Sequence, residues 1–235
     1  MADSSLTIGI IGGTGDHGRG LGFRLAAGGH RVIIGSRDAE RARQCANALT
    51  GMLPAGTPAP DGMSNEAVAE AAALVLLTMP WESDGSAVSR LGPALRGKIV
   101  VSCANPIGFD SLGPHQHDTG HGSAAEHLAA LLPDSRVVGA FHHLSARSLL
   151  DPAADLSAAD VLVCGDDDAA KTTVRRLCLA VTGRTGIDAG PLRLARQIES
   201  FTAVLISVNR RYRTRAAVRL RHVADLEPVE ASGAA

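Results

Sequence analysis

The chain has 235 residues, 45% of them hydrophobic, enough for one sizeable core or one domain with a small appendage. Its net charge of −1 argues against a nucleic-acid partner, and its 3% aromatic content argues against base-stacking platforms. Cys45, Cys103, Cys164 and Cys178 form no C-x-x-C pair and read as reduced thiols of a cytoplasmic protein; residues 1–5 leave no room for a signal peptide, and the longest apolar run, Ala67 to Met79, is broken by Glu70 and too short to span a membrane.

Leu6 to Ile11 is a short apolar, β-branched run, which predicts a buried parallel strand. Gly13-Thr14-Gly15-Asp16-His17-Gly18 follows at once and fits G-x-G-x-x-G, and Leu21, Leu25 and Ala26 then begin a helical face. Strand, glycine turn and helix in this order are the context of a dinucleotide site. Gly13 permits the tight turn, Gly15 lets backbone approach a pyrophosphate, and Gly18 lets helix close on strand. The helix N-terminus offers free N–H groups to the phosphates. The alternative is a turn that only joins strand to helix.

Gly28-Gly29 stops that helix, and Arg31 to Gly35 is the second strand. An NAD-preferring site would place Asp or Glu at its end. This chain has Ser36-Arg37, with Arg41 one turn into the next helix, and a hydroxyl with two guanidinium groups suits a 2′-phosphate. The expected dinucleotide is therefore NADP(H). Surface charge with no ligand is the alternative for both arginines.

Asp38 caps the next helix, and the Pro- and Gly-rich stretch from Gly51 to Gly62 reads as a loop. Ser64 opens a short helix, and Leu74 to Thr78 is the third strand. Met79-Pro80-Trp81-Glu82 lies at its carboxyl end, where open α/β sheets bind ligands. Trp81 is either a lid on the site or a packed aromatic. Lys98 to Ser102 is the fourth strand and ends in Ala104-Asn105-Pro106, again at a carboxyl end. Ile107 to Gly122 shows no periodicity and reads as loop; its His115, His117 and His121 complete no ligand spacing, so no metal is expected.

Ser123-Ala-Ala-Glu126 is a capping box for a helix to Leu132, and Arg136 to Ala140 is the fifth strand, followed by Phe141 to Ala146. Val161 to Cys164 is another strand, and Asp166 to Asp168 form a turn and cap for a helix from Ala169 to Val181. Ile187 to Gly190 is a last short strand. Leu194, Ile198, Phe201, Leu205 and Val208 recur at helical spacing. The predicted fold class is α/β, a Rossmann-type, doubly wound, mainly parallel sheet with a small C-terminal helical extension. No Tyr-x-x-x-Lys pair and no G-x-S-x-G elbow occur, so the expected chemistry asks little of protein acids and bases. Hydride transfer to a flavin-like ring fits, with the protein aligning two faces. His142 is the candidate catalytic residue, as a hydrogen-bond donor to charge developing on that ring. Its alternative is a packed strand-end histidine.

The chain is similar to the NADPH-dependent reductases of coenzyme F-420, an 8-hydroxy-5-deazaflavin, of bacterial type. The marks are Gly12 to Gly18, Gly35-Ser-Arg37, Thr78 to Glu82, Ser123 to Glu126 and Phe141 to Leu144. They continue in Val163 to Asp168, Asp188 to Leu192, Glu199-Ser200 and Ser207 to Tyr212. The resemblance implies reversible hydride transfer between NADP(H) and C5 of the deazaflavin, with coenzyme F-420 as co-substrate. It assigns Thr14 to His17 to the pyrophosphate, Ser36, Arg37 and Arg41 to the 2′-phosphate, and Pro80 with its neighbours to the nicotinamide side. His142, Leu144 and Ala146 then line the deazaflavin pocket, and Arg193 or Arg196 attracts the anionic phospholactyl-glutamate tail, with a solvated charged face as the alternative for these two arginines. Ser145 stands where many relatives have Pro. The resemblance further implies a homodimer through the C-terminal helices. It divides the chain into residues 1–145, an NADP-binding Rossmann domain, and 146–235, which complete the deazaflavin site. A flavin (FMN/FAD) or imine reductase and a non-catalytic NADP(H) sensor are the rival readings.

Overall fold

The computed structural model describes residues 6–81 and 85–223; Glu82 and residues 1–5 lie outside them. Strands β1 (Thr7–Ile11), β2 (Arg31–Ser36), β4 (Leu74–Leu77) and β5 (Ile99–Ser102) form the middle of one sheet, with β3 (Asp61–Ser64) at an edge. Beyond β5 come β8 (Arg136–Gly139), β9 (Leu162–Gly165) and β10 (Ile187–Gly190). The eight strands run in the order β10-β9-β8-β5-β4-β1-β2-β3. Every pairing is parallel except β8 with β9. Chain order reverses about β1, whose neighbours are β2 and β4, and this switch point is where such sheets open a ligand crevice.

The sheet is covered on both faces, which explains why its central strands are almost continuously apolar. Ile8 and Ile10 of β1 enter one core, under α1 (Asp16–Ala27) and α8 (Asp168–Thr182). Ile11 enters the other, under α3 (Asn65–Ala71) and α6 (Ala124–Leu131), as the two-residue period of a strand requires. Asp38 accepts from the Glu40 and Arg41 amides at the start of α2 (Ala39–Thr50), Ser64 caps α3, and Asp167 caps α8.

Two stretches differ from the sequence expectation. Asp61 and Gly62 are not loop but the start of edge strand β3, too short for a periodic signal. Within Ile107 to Gly122 there is a separate antiparallel hairpin, β6 (Ile107–Asp110) and β7 (Gly113–Gln116). Its turn is held by Asp110, whose carboxylate accepts from the Leu112 and Gly113 amides. Short glycine- and proline-bearing arms of mixed polarity carry little alternation to read.

The segment after residue 145 is built into the same sheet, since β9 and β10 belong to it. Arg24 of α1 also donates to the carbonyls of Ser148, Leu149, Asp151 and Ala154, so it caps α7 (Ala146–Leu150) and its following turn. The chain closes with a 3₁₀ turn, Leu192–Leu194, and α9 (Ala195–Tyr212).

Candidate functional site

The glycine turn stands at the carboxyl end of β1. Gly12 has a φ of 73° and donates its N–H to Asn65 Oδ1 at 3.2 Å, while Gly13 N–H reaches Gly35 O at 2.9 Å. A Cβ on Gly18 would lie 2.6 Å from Thr78 Oγ1 and 2.7 Å from Gly13 Cα, so no other residue fits without movement. Gly15 is the N-cap of α1 and brings no side-chain acceptor, so the first-turn N–H groups have no side-chain cap. Gly15 and Asp16 are exposed, and Thr14 and His17 are half-buried. An uncapped helix start of this kind offers N–H groups to which a pyrophosphate is suited.

Ser36 ends β2 with its Oγ accepting from the Asp38 amide at 3.3 Å. Arg37 and Arg41 are exposed and form no ion pair among the described residues, whereas Arg43 is held by Glu40 at 2.8 Å. The helix start and the two unpaired guanidinium groups thus stand at the ends of neighbouring strands β1 and β2.

Met79, Pro80 and Trp81 follow β4 and line an apolar cleft with about 480 Å³ of empty space, part of it open to solvent. Ala104 and His127 form other walls. Trp81 is half-buried and forms a wall, with its ring 5.5 Å from His117 and 6.4 Å from His127. His121 stacks on His127 at 4.0 Å, and His115 sits 3.6 Å from Asp110. The three loop histidines therefore have separate aromatic or charge partners.

Asn105 is a junction. Its Nδ2 donates to His142 O at 2.7 Å and its Oδ1 accepts from Thr202 Oγ1 of α9 at 3.3 Å. Pro106 is buried, and its carbonyl accepts from the His117 amide. Leu144 is buried, and Ala146 opens α7 behind Ser145, whose hydroxyl accepts from the Ser148 amide. Ser145 thus supplies a cap where a proline would supply only stiffness.

His142 does not occupy the donor role expected of it. It is 2% exposed, and its Nδ1 faces Ala104 O at 3.2 Å, a pure acceptor, so the proton sits on Nδ1. Nε2 is then a buried acceptor without a partner, 3.1 Å from where a Gly139 Cβ would stand. Burial holds the ring neutral, its pKa lowered to about 3. A neutral, inward-facing acceptor does not donate to charge on a ligand ring. The preceding Phe141 has a φ of 64° while fully buried, and this left-handed residue turns the histidine under the loop.

Three contributors were given no role by the sequence reading, although Glu199 lies in one of its marked segments. Asn65 holds the glycine turn. Thr202 ties α9 to Asn105. Glu199 is fully buried, and its carboxylate accepts from the Ala124 and Ala125 amides at 2.9 and 3.1 Å, capping α6 from α9. Burial pushes its pKa up to about 7, against the pull of those two N–H bonds. Arg196 is committed to Gly122 O at 2.9 Å.

Comparison with known proteins bears on this geometry. A family model described as NADP oxidoreductase, coenzyme F420-dependent, matches residues 7–106. The F420-dependent NADP reductase of Methanothermobacter marburgensis is 34% identical, over 93% of this chain and 99% of its own. That of Methanocaldococcus jannaschii is 35% identical over 89% and 95%. A crystal structure from Arthrobacter sp. fb24, assigned as an F420-dependent NADP-reductase, superposes with a TM-score of 0.73 at 29% identity, covering 90% of this chain and 96% of that one. Rat metalloreductase STEAP3 is 34% identical over 85% of this chain but only 37% of its own length.

Proposed function

The chain belongs to the family of coenzyme F420-dependent NADP oxidoreductases, and we propose on that premise that it transfers a hydride reversibly between NADP(H) and the deazaflavin of coenzyme F420. The observation that carries the dinucleotide half is the uncapped start of α1 beside the unpaired Arg37 and Arg41. Bound together, the two coenzymes supply all the redox chemistry, as hydride moves between nicotinamide C4 and deazaflavin C5.

The protein's residues then bind, orient and exclude water. Thr14 to His17 and the α1 amides hold the pyrophosphate; Ser36, Arg37 and Arg41 hold the 2′-phosphate. Met79, Pro80 and Trp81 form an apolar wall on the nicotinamide side. Asn105 and Thr202 fix the loops after β5 and β8 against α9, and Leu144 with Ala146 bounds the deazaflavin side. His142 acts as a positioning residue through its backbone carbonyl, which accepts from both Asn105 and Thr202. In this division residues 1–145 serve the dinucleotide and the segment after 146 completes the deazaflavin side.

Two further features support a cytoplasmic homodimer. Among the described residues no helix is long and apolar enough to cross a membrane, and all four cysteines are free thiols. On α9, Ile198 and Leu205 turn into the protein, but Phe201 and Val204 remain 43% and 51% exposed, an apolar face suited to a second copy. V204D is expected to convert the dimer to monomer in light scattering at unchanged helix content; an unchanged mass refutes that interface.

The deciding assay mixes protein, NADPH and oxidised deazaflavin coenzyme and follows the visible deazaflavin absorbance. Rapid bleaching is expected with NADPH, slow bleaching with NADH, and none when NADPH oxidation is followed with FMN as acceptor. Turnover of FMN without turnover of deazaflavin would move the assignment to a flavin reductase. NADPH binding without turnover of any acceptor would move it to a sensor.

A further inference from the structure

A second cleft, with about 1000 Å³ of empty space, part of it open to solvent, lies between the start of α7 and the last turns of α9. Arg147, Arg210, Arg213 and Arg215 line it together with Ser145 and Asn209, and among the described residues no carboxylate does. Only Arg215 has an acidic partner, Asp151 at 3.4 Å; the other three form no ion pair among the described residues. The chain as a whole carries a charge of −1, so this clustering is local and not compositional.

The groove is built rather than incidental. Arg210 lies over the Phe109 ring of the β6–β7 hairpin, 4.9 Å from its centroid. Arg213 takes a left-handed conformation at the end of α9, with φ of 51°, an uncommon state for a residue other than glycine. Asn209 stabilises the turn beyond it, its Oδ1 accepting from the Ala216 amide and its carbonyl from Thr214. Four guanidinium groups around one cleft repel one another unless an anion sits among them.

The groove is also continuous with the deazaflavin side. Ser145 directly follows Leu144. Thr202, Ile206, Asn209 and Arg213 recur at spacings of four, three and four, so they share one face of α9. Thr202 touches Asn105 and the His142 carbonyl. From Thr202 to Arg213 the helix rises about 16 Å, at roughly 1.5 Å per residue. A ligand whose ring rests by Asn105 and whose side chain runs along this face reaches the arginines.

We propose that this groove holds the anionic tail of the deazaflavin coenzyme, a phosphodiester followed by glutamate carboxylates. This rests on the hydride-transfer reading above. Spaced anions of this kind match guanidinium forks, which take phosphate and carboxylate in bidentate geometry. The site assigns the tail to Arg147, Arg210, Arg213 and Arg215, in place of Arg193 and Arg196. Arg196 is spent on Gly122, and neither lines the groove.

The test compares the complete coenzyme with the same deazaflavin bearing only its ribityl chain, by fluorescence titration and by NADPH-dependent turnover. The variant is R147Q/R213N, since Asn tolerates the left-handed conformation that Arg213 holds. R31Q, an exposed arginine on the far strand end, is the charge control. The wild type is expected to bind the complete coenzyme about tenfold more tightly at low salt. That advantage should shrink as salt rises, vanish in R147Q/R213N and survive in R31Q. Equal affinities in the wild type, an advantage that survives the double variant, or no binding of either compound overturns the proposal. So does a tri-γ-glutamate peptide that binds as tightly as the complete coenzyme, which would mark a general polyanion surface. If NADPH reduces neither compound, the hydride-transfer reading fails, while the ratio of binding constants still decides the groove.

Discussion

At the residue scale, specificity turns on side chains whose partners are missing or few. Arg37 is exposed beside the uncapped α1 helix and has no ion pair among the described residues, so its removal costs the fold little. R37A is expected to raise the KM for NADPH about tenfold or more while moving the KM for NADH less than twofold, since only the former carries a 2′-phosphate. Parallel loss with both dinucleotides would make Arg37 a structural residue. Asn65 behaves differently because its partner is backbone. Its Oδ1 is the acceptor for the Gly12 amide, within a turn whose φ of 73° few residues adopt. N65A leaves that amide unpaired, at a cost of about 1–3 kcal/mol. A thermal melt should show the loss, and NADPH titration should show weaker binding. N65D keeps the acceptor but sets a negative charge beside the pyrophosphate, so stability should recover while binding does not. Recovery of both would remove Asn65 from the site.

At the scale of elements, the joint between α6 and α9 is unusual. A helix start is normally capped from its own sequence, and Ser123 does this for Glu126. The two amides before it, of Ala124 and Ala125, are instead capped by Glu199 from α9, fully buried with its pKa pushed up to about 7. Because the folded value lies above the ordinary one, this group's contribution to stability is complete below about pH 4.5. It is lost as pH rises through 7, by roughly 3 kcal/mol at about 1.36 kcal/mol per unit. E199Q does not titrate. The difference in unfolding free energy between wild type and E199Q should therefore change between pH 4.5 and 7 and be flat above about 8. A difference that is constant throughout would mean that the carboxylate is already ionised in the fold at pH 5. The sequence made legible those elements that repeat one physical signal: the apolar runs of β1, β2, β4, β5 and β8, the caps at Asp38, Ser64 and Ser123, and the glycine turn. It did not reveal the Glu199 cap or the Asn65 and Thr202 contacts. Each joins residues more than fifty positions apart, and no local pattern records a partner at that distance. The hairpin at 107–116 was hidden for the opposite reason, since its arms are too short and too polar to alternate. His142 was placed correctly at a strand end, but the direction of its ring depends on the left-handed Phe141, which composition does not disclose.

At the scale of the molecule, three buried imidazoles from two elements lie close enough for a charge on one to oppose a charge on another. His17 belongs to the first turn of α1, and His142 with His143 to the loop after β8. Each has a buried ring nitrogen without a partner. Burial lowers all three pKa values, to about 4 for His17 and about 3 for His142, and a charge on His143 opposes a charge on either of the others. The folded values lie below the ordinary one, so the unfolded chain takes up protons first as acid is added. The stability they confer is complete above pH 6.5 and is lost as pH falls towards 3. Glu199 moves the other way between 7 and 4.5, but His17 and His142 together outweigh it by roughly 2 kcal/mol at pH 4.5, and His143 adds to the loss in the same direction. Denaturant midpoints measured from pH 8 to pH 4.5 should hold steady to about pH 6.5 and then fall, and H17Q should flatten the decline. A midpoint that does not move would mean that these rings are charged or solvated in the fold. The arrangement also links the two coenzyme sites. In the proposed assignment His17 stands in the pyrophosphate turn and His143 next to Leu144 on the deazaflavin side, so protonating the cluster is expected to loosen both together. NADPH and deazaflavin affinities should therefore decline over the same pH interval, whereas loss of one without the other would show that the two loops titrate independently.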